Sequence, residues 1–217
     1  MTKGVVLLSG GLDSLVAFDI ATKKMDVVLA LTFDYSQKAF EEEYTAAKKI
    51  CDLYKIEHKT IKLPFLSEIT NNALTNENNN DFNELKSVWI PNRNGLFLNI
   101  AASFCDALDI DYIIFGANKE ESGSFSDNKP EYIKISDESF KYSTLKHPTI
   151  FAPCSGMTKI DLVNYMIDNN IDFSLIKSCY QNKKETNKKH CAKCMSCKLL
   201  YNAILNSKNK DLIGEIF

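Results

Sequence analysis

Short apolar runs alternate along this chain with longer stretches in which apolar residues return every third or fourth position. Residues 3–8, ending in Val5-Val6-Leu7-Leu8, predict a short buried strand, and a glycine-containing turn leads into a helix at about 13–24. Residues 27–33 predict a second strand. Phe40, Tyr44, Ala47, Cys51 and Tyr54 then recur at spacings of four and three, the signature of an amphipathic helix. A third strand is expected at 56–63, a helix through Phe97, Ile100, Ala101, Phe104, Cys105 and Leu108, a fourth strand at 112–115, a fifth at 149–151, and a last core helix at 158–169. Residues 64–89 carry no sustained period and include the Asn-rich stretch 71–83, so they predict a long, partly mobile surface loop with some helix; 116–130 predicts a polar loop.

Strands alternating with helices imply an α/β fold, a parallel sheet with helices on both faces. Ligands of such sheets bind beyond the carboxyl ends of the strands, where the loops at Ser9, Asp34, Gly116 and Pro153 should meet.

Composition changes this picture little. The chain has 217 residues, 45% of them apolar, with a formal net charge of -2, which gives no global attraction to nucleic acid or anionic membrane. No apolar run approaches a membrane span or a signal-peptide core, and a cytoplasmic enzyme is expected. Seven cysteines in such a setting point away from disulfides.

Ser9-Gly10-Gly11-Leu12-Asp13-Ser14 sits at the first strand-to-helix junction. Its paired glycines let backbone amides approach an anion, and the helix start that follows favours phosphate. It lacks the Gly-Lys-Ser/Thr ending of a Walker A loop. A plain turn would not need this residue set.

Cys179, Cys191, Cys194 and Cys197 offer the thiolate count of a closed, structural zinc site, with His190 a lesser competitor. Among 26 basic residues the sole arginine is Arg93, in Trp89-Ile90-Pro91-Asn92-Arg93-Asn94. In so lysine-rich a chain, an arginine points to a place that needs a planar bidentate fork for phosphate or carboxylate; Asn94 would cap the helix that follows. Asp34-Tyr35-Ser36-Gln37-Lys38, after the second strand, says little alone. Residues 177–198 hold seven Lys and one Glu, which suits a solvated face, a guide for anions, or a zinc module binding nucleic acid or a partner protein.

The Ser9 loop resembles the pyrophosphate loop of the N-type ATP pyrophosphatases. Together with residues 89–98, Ser178-Cys179-Tyr180 and the three later cysteines, and with Pro153 followed by Thr158-Lys159, it makes nearly the whole chain resemble the QueC family, the 7-cyano-7-deazaguanine synthases. The resemblance implies a Rossmann-like, adenine nucleotide alpha hydrolase-like domain over 1–175 and a zinc-binding C-terminal segment over 176–217. It implies ATP, Mg2+ and Zn2+, with Leu8, Ser9, Gly10, Gly11, Leu12, Asp13, Ser14, Gln37 and Gly116 at the nucleotide. Asp13, Arg93 and Lys159 would act in catalysis, and Tyr35, Arg93, Asn94, Asn118, Asp127 and Glu131 would meet the substrate. The implied reaction is adenylation of 7-carboxy-7-deazaguanine, then capture by ammonia to give the amide and the nitrile. A homodimer or a complex with an operon partner is expected, and nucleic acid is not.

There are departures. The family's Tyr-Gly-Gln-Arg-His is Tyr35-Ser36-Gln37-Lys38-Ala39 here. Its Gly-Val-Asn-Ala-Xaa-Asp-Tyr-Ser-Gly-Tyr-Pro-Asp-Cys-Arg-Pro-Glu-Phe run keeps Asn118, Asp127, Pro130 and Glu131 but has Ser122 and Lys129, and Leu200 stands where an arginine is expected. These changes open an alternative: a QueC-like enzyme that passes the activated deazaguanine to a protein amine, as relatives in type IV CBASS antiviral defence are expected to do.

Overall fold

The computed structural model describes residues 1–182 and 189–217. Five strands, β1 (Lys3–Leu7), β2 (Asp26–Asp34), β3 (Glu57–Lys62), β4 (Tyr112–Ile114) and β5 (Thr149–Phe151), form one parallel sheet in the order β3-β2-β1-β4-β5. The chain winds outward from β1 through β2 to β3, then crosses back to β4 and β5 on the other side. The crevice at the carboxyl ends of β1 and β4 is therefore the topological switch point.

The two-residue period of the strands splits the core. Val6, Leu8, Ala30 and Ile114 face α1 (Leu12–Thr22), α2 (Phe40–Tyr54) and α8 (Lys159–Asp168), packing with Leu15, Phe18, Ala47, Ile50, Leu162 and Met166. Val5, Leu7, Leu29, Leu31 and Ile113 face the other way. They meet Leu98, Ala101 and Cys105 of α5 (Arg93–Leu108) and Phe140 of α7 (Pro130–Ser143). Both faces are covered, as a parallel sheet requires. Burial pushes the Cys51, Cys105 and Cys154 thiols up, to about 11, about 12 and about 12, so these cysteines stay protonated in the core. No helix among the described residues is long and apolar enough to cross a membrane.

The expected strands are present; the differences lie in the connections. Residues 64–89 are not a detached surface loop. Besides the short helices α3 (Phe65–Glu68) and α4 (Leu85–Val88), they send Leu66, Ala73, Leu74, Phe82 and Val88 into a third apolar cluster with Tyr35, Cys179, Cys194 and Cys197. Lys38 anchors the Asn-rich stretch, its Nζ donating to the Asn79 carbonyl and to Asn80 Oδ1 while its backbone N–H donates to the Leu74 carbonyl. Single apolar residues without a period are silent in the sequence because their partners lie far along the chain.

Residues 116–130 also hold structure, the helix α6 (Lys119–Ser124) capped by the Asn118 side chain and a 3-10 turn at Ser126–Asn128. α7 starts with Pro130 in its first turn and was masked by outward-facing Ile135 and Tyr142. Nor is α8 the last core helix. α9 (Met195–Leu205) places Leu200, Ala203 and Ile204 in the same cluster as α1 and α8, and α10 (Leu212–Ile216) adds Leu212.

Candidate active site

A cavity of about 230 Å³ opens at the switch point. Its floor is the Ser9 loop. Gly10 has φ +75°, and a Cβ there would lie 2.7 Å from the Glu43 carbonyl and 2.8 Å from Ala46 Cβ, so only glycine fits. The Ser14 hydroxyl accepts from the Ser9 N–H and donates to the Gly11 carbonyl, and Ser9 Oγ accepts from the Gly11 N–H. A Cβ on Gly116 would come within 2.9 Å of Ser14 backbone atoms, which shows how closely the end of β4 packs on the start of α1. Leu8, Ser9, Gly11, Asp13, Ser14 and Gly116 line the cavity, whereas Gly10 shapes the loop from behind and Leu12 turns into the core.

Beside the loop sits a charged cluster drawn from three elements. Lys159, in the first turn of α8, donates to Asp13 Oδ2 at 2.5 Å and to Glu121 Oε1 at 3.0 Å, and Asn118 Nδ2 donates to Asp13 Oδ1 at 2.9 Å. Lys159 is fixed by a capping box of Thr158 and Asp161 and by its own backbone N–H, which donates to Glu120. Burial alone would discharge the Lys159 ammonium, but the two carboxylates hold its pKa above the ordinary lysine range. Burial raises Asp13, with Lys159 pulling the other way and Glu121 adding to the rise. Glu121 is lowered: the burial that would raise it is outweighed by Lys159 and the Asn118 hydrogen bond. Two carboxylates against one ammonium leave a net negative charge of hard oxygens beside an anion loop, a donor set that suits magnesium bound together with phosphate oxygens.

Tyr35 and Arg93 define the opposite wall. Arg93 Nη1 donates to Tyr35 Oη at 3.3 Å, and the guanidinium lies 5.7 Å and 5.9 Å from the Tyr35 and Phe97 ring centroids. No carboxylate among the described residues makes an ion pair with it, so its fork is open to a ligand. Asn94 lines the cavity but does not cap α5: Asn92, with φ 53°, is the cap, and its side chain makes no capping hydrogen bond. Burial raises the Asp127 carboxyl, with Arg93 opposing. Gln37 is spent internally, accepting from the Tyr35 N–H and donating to the Phe33 carbonyl and to Glu43 Oε2. Asn118 acts through Asp13 rather than on the cavity surface, and Glu131 is exposed on α7 outside the cavity.

Sequence reasoning passed over Glu43 and Glu121. Glu121 stands where the ungapped family pattern has aspartate, which was the available signal. Glu43, raised by burial, has no local signature.

The four cysteines converge. Their sulfurs lie within 4.8 Å of one another, and Cys191 Sγ to Cys197 Sγ is 3.8 Å. A tetrahedral site with Zn–S bonds of about 2.3 Å has an edge of about 3.8 Å, so the set fits zinc. Backbone N–H groups of Gln181, Lys193 and Cys194 point at Cys179 and Cys191 sulfurs, which favours thiolates. His190 is not a ligand. It is buried, its Nε2 accepts from the Ser178 N–H, and burial lowers its pKa to about 4. Residues flanking the cysteines, Lys177, Ser178, Tyr180 and Ser196, form one side of the cavity.

Of the departures, Ala39 lines the cavity, Ser122 closes a turn of α6 by donating to the Lys119 carbonyl, and Leu200 is core.

The family model described as Queuosine biosynthesis protein QueC matches residues 3–208. The 7-cyano-7-deazaguanine synthase of Pelotomaculum thermopropionicum is 41% identical, over 90% of this chain and 93% of its own. That of Methanosarcina barkeri is 37% identical, over 98% of each. Among solved structures, the U34-tRNA thiolase NcsA of Methanococcus maripaludis superposes with a TM-score of 0.52 at 17% identity, over 79% of this chain and 58% of that one. The NH3-dependent NAD synthetase of Campylobacter jejuni does so at 0.50 and 17%, over 81% and 67%. At such identities the structural likeness speaks for the fold alone.

Proposed function

The chain belongs to the QueC family, and from that premise we propose that it is an ATP-dependent 7-cyano-7-deazaguanine synthase acting on 7-carboxy-7-deazaguanine. The observation that carries the reading is a single cavity with the Ser9 loop and Lys159 on one side and the unpaired Arg93 fork on the other.

A carboxylate is already a nucleophile at neutral pH, so the first step asks for charge balance rather than a base. The substrate carboxylate oxygen attacks the α-phosphorus of ATP, the α–β bridging P–O bond breaks, and pyrophosphate leaves. The Ser9 loop, the start of α1 and the Lys159 ammonium would face the phosphates, and Arg93 would neutralise the incoming carboxylate. Asp13 and Glu121 would hold Mg2+, which when bound supplies charge neutralisation for the pyrophosphate. Ammonia then attacks the acyl carbon of the adenylate, loses a proton, and expels AMP, leaving the amide. The amide oxygen then attacks the α-phosphorus of a second ATP and expels pyrophosphate, and loss of AMP and of both amide N–H protons yields the nitrile. The four cysteines would hold Zn2+ as a closed structural centre that keeps Ser178, Tyr180 and Ser196 against the cavity.

A second reading keeps the adenylation and replaces ammonia with a protein amine, as in type IV CBASS defence. It draws on Ala39, which lines the cavity where the family pattern has histidine. Mass spectrometry of reactions containing ATP, the carboxylate and ammonium tests both. AMP, pyrophosphate and nitrile are expected. An adenylate that persists with ammonium and is consumed only by a partner protein gives the second reading, and cleavage of ATP to ADP refutes both.

A further inference from the structure

We propose that Trp89 and Phe125 form an aromatic clamp for the fused bicyclic base of the substrate, an assignment that rests on the functional reading above. The two rings line the same cavity and stand nearly parallel, 10° between planes and 6.0 Å between centroids. Their backbones are held firmly. Val88 and Ile90, on either side of Trp89, are buried, and the Trp89 carbonyl accepts from Asn72 Nδ2. The Phe125 N–H donates to the Glu121 carbonyl, its carbonyl accepts from the Asn128 N–H, and Asp127 and Asn128 are buried beside it. The rings themselves are only partly covered: Trp89 belongs to none of the three apolar clusters, and Phe125 packs only at the margin of the third. Large rings on rigid mounts that keep part of their faces open toward a cavity are placed to be covered by a ligand there.

The parallel planes select a flat ligand. Rings that sandwich an aromatic plane need planes roughly 7 Å apart, two contacts of about 3.5 Å, so the pair must adjust to admit one. Two flat groups enter this cavity in the proposed reaction, the deazaguanine and the adenine of ATP. The observations favour the deazaguanine. The segments that carry the rings also carry Arg93, four residues beyond Trp89, and Asp127, two beyond Phe125, which offer a fork for the carboxylate and an acceptor for N–H groups on the base edge. The cavity wall next to the Ser9 loop is instead built from Leu8, Thr32, Phe33 and Gly116.

Trp89 is the only tryptophan in the chain, so its emission reports directly on the clamp. Titration of the zinc-loaded wild type with 7-carboxy-7-deazaguanine alone should quench it saturably, and ATP alone should not. Phe125→Leu, which keeps apolar bulk and loses the ring face, should weaken that binding about tenfold or more and raise KM with kcat nearly unchanged, and Phe125→Tyr should restore both. Quenching by ATP alone assigns the rings to adenine and overturns the proposal. So does a Phe125→Leu protein that binds the base as tightly as wild type while carboxylate-dependent pyrophosphate release continues, a result that leaves the functional reading standing. A wild type that neither binds the carboxylate nor releases pyrophosphate overturns both.

Discussion

The Ser9 loop and the cysteine clip stand at the same rim, and each presents a centre for a ligand, but they are held in opposite ways. The loop grows directly out of the sheet. The Leu8 N–H donates to the Leu31 carbonyl at 2.9 Å, the Leu15 N–H to the Gly11 carbonyl at 3.1 Å, and the two serine hydroxyls tie the turn to itself. Its shape is set by the chain's own hydrogen bonds, which suits a ligand that comes and goes. Among the described residues the clip has no helix or strand just before α9, and its thiols would gain a common purpose through a shared ion. The two meet where the Lys177 N–H donates to the Gly10 carbonyl at 2.8 Å. A backbone-built site can exchange its ligand, whereas a ligand-built site keeps it, and here the second supports a wall of the first.

Denying the clip an ion is the strongest way to break this comparison. Structural zinc is worth about 10–16 kcal/mol in small zinc peptides, more than a single packing change supplies. Cys194→Ser should lose the metal, about one zinc per chain by metal analysis, and lower Tm sharply. It should shift Trp89 emission as the third cluster opens, while far-UV circular dichroism shows the sheet and its helices retained. An unchanged zinc content or Tm would mean that the clip stands without its ion.

A smaller effect is expected at the loop. Lys159→Met leaves the Asp13 and Glu121 carboxylates buried side by side without their counter-charge. Stability should fall by about 3–5 kcal/mol, and carboxylate-dependent pyrophosphate release by about 10²–10³-fold, with zinc content unaffected. Loss of zinc in this variant would show that the loop holds the clip, the reverse of the dependence argued here.

The smallest effect separates the two regions by pH. Asp19 ties α1, behind the loop, to α2 and α8, accepting at 2.7 Å from Tyr54 and from Tyr165 and pairing with Lys23. Burial would raise its pKa, but these donors together hold it below the ordinary value of 3.8. A depressed folded-state pKa contributes stability that is present above about 3.8 and lost as pH falls through the folded value. Asp19→Asn should therefore cost about 1–3 kcal/mol at neutral pH and flatten the acid limb of a Tm-versus-pH curve below about pH 4. A limb of unchanged steepness would assign acid sensitivity to other carboxylates.

The sequence by itself determined the parallel α/β frame, the glycine loop at the first strand end, the sulfur set, and the segments from which Arg93 and Lys159 come. Those signals are local: a period of two or near four, a glycine pair before a helix, cysteines at short spacing. Tertiary structure alone decided that Leu66, Ala73, Leu74, Phe82 and Val88 of the 64–89 segment enter the core, that Asn92 rather than Asn94 caps α5, that Glu43 and Glu121 reach the cavity while Glu131 does not, and that Trp89 faces Phe125. The physical reason is that each of these depends on what lies across a gap of many residues. A carboxylate or a ring has no period of its own, and its role is set by the neighbour that the folded sheet brings to it.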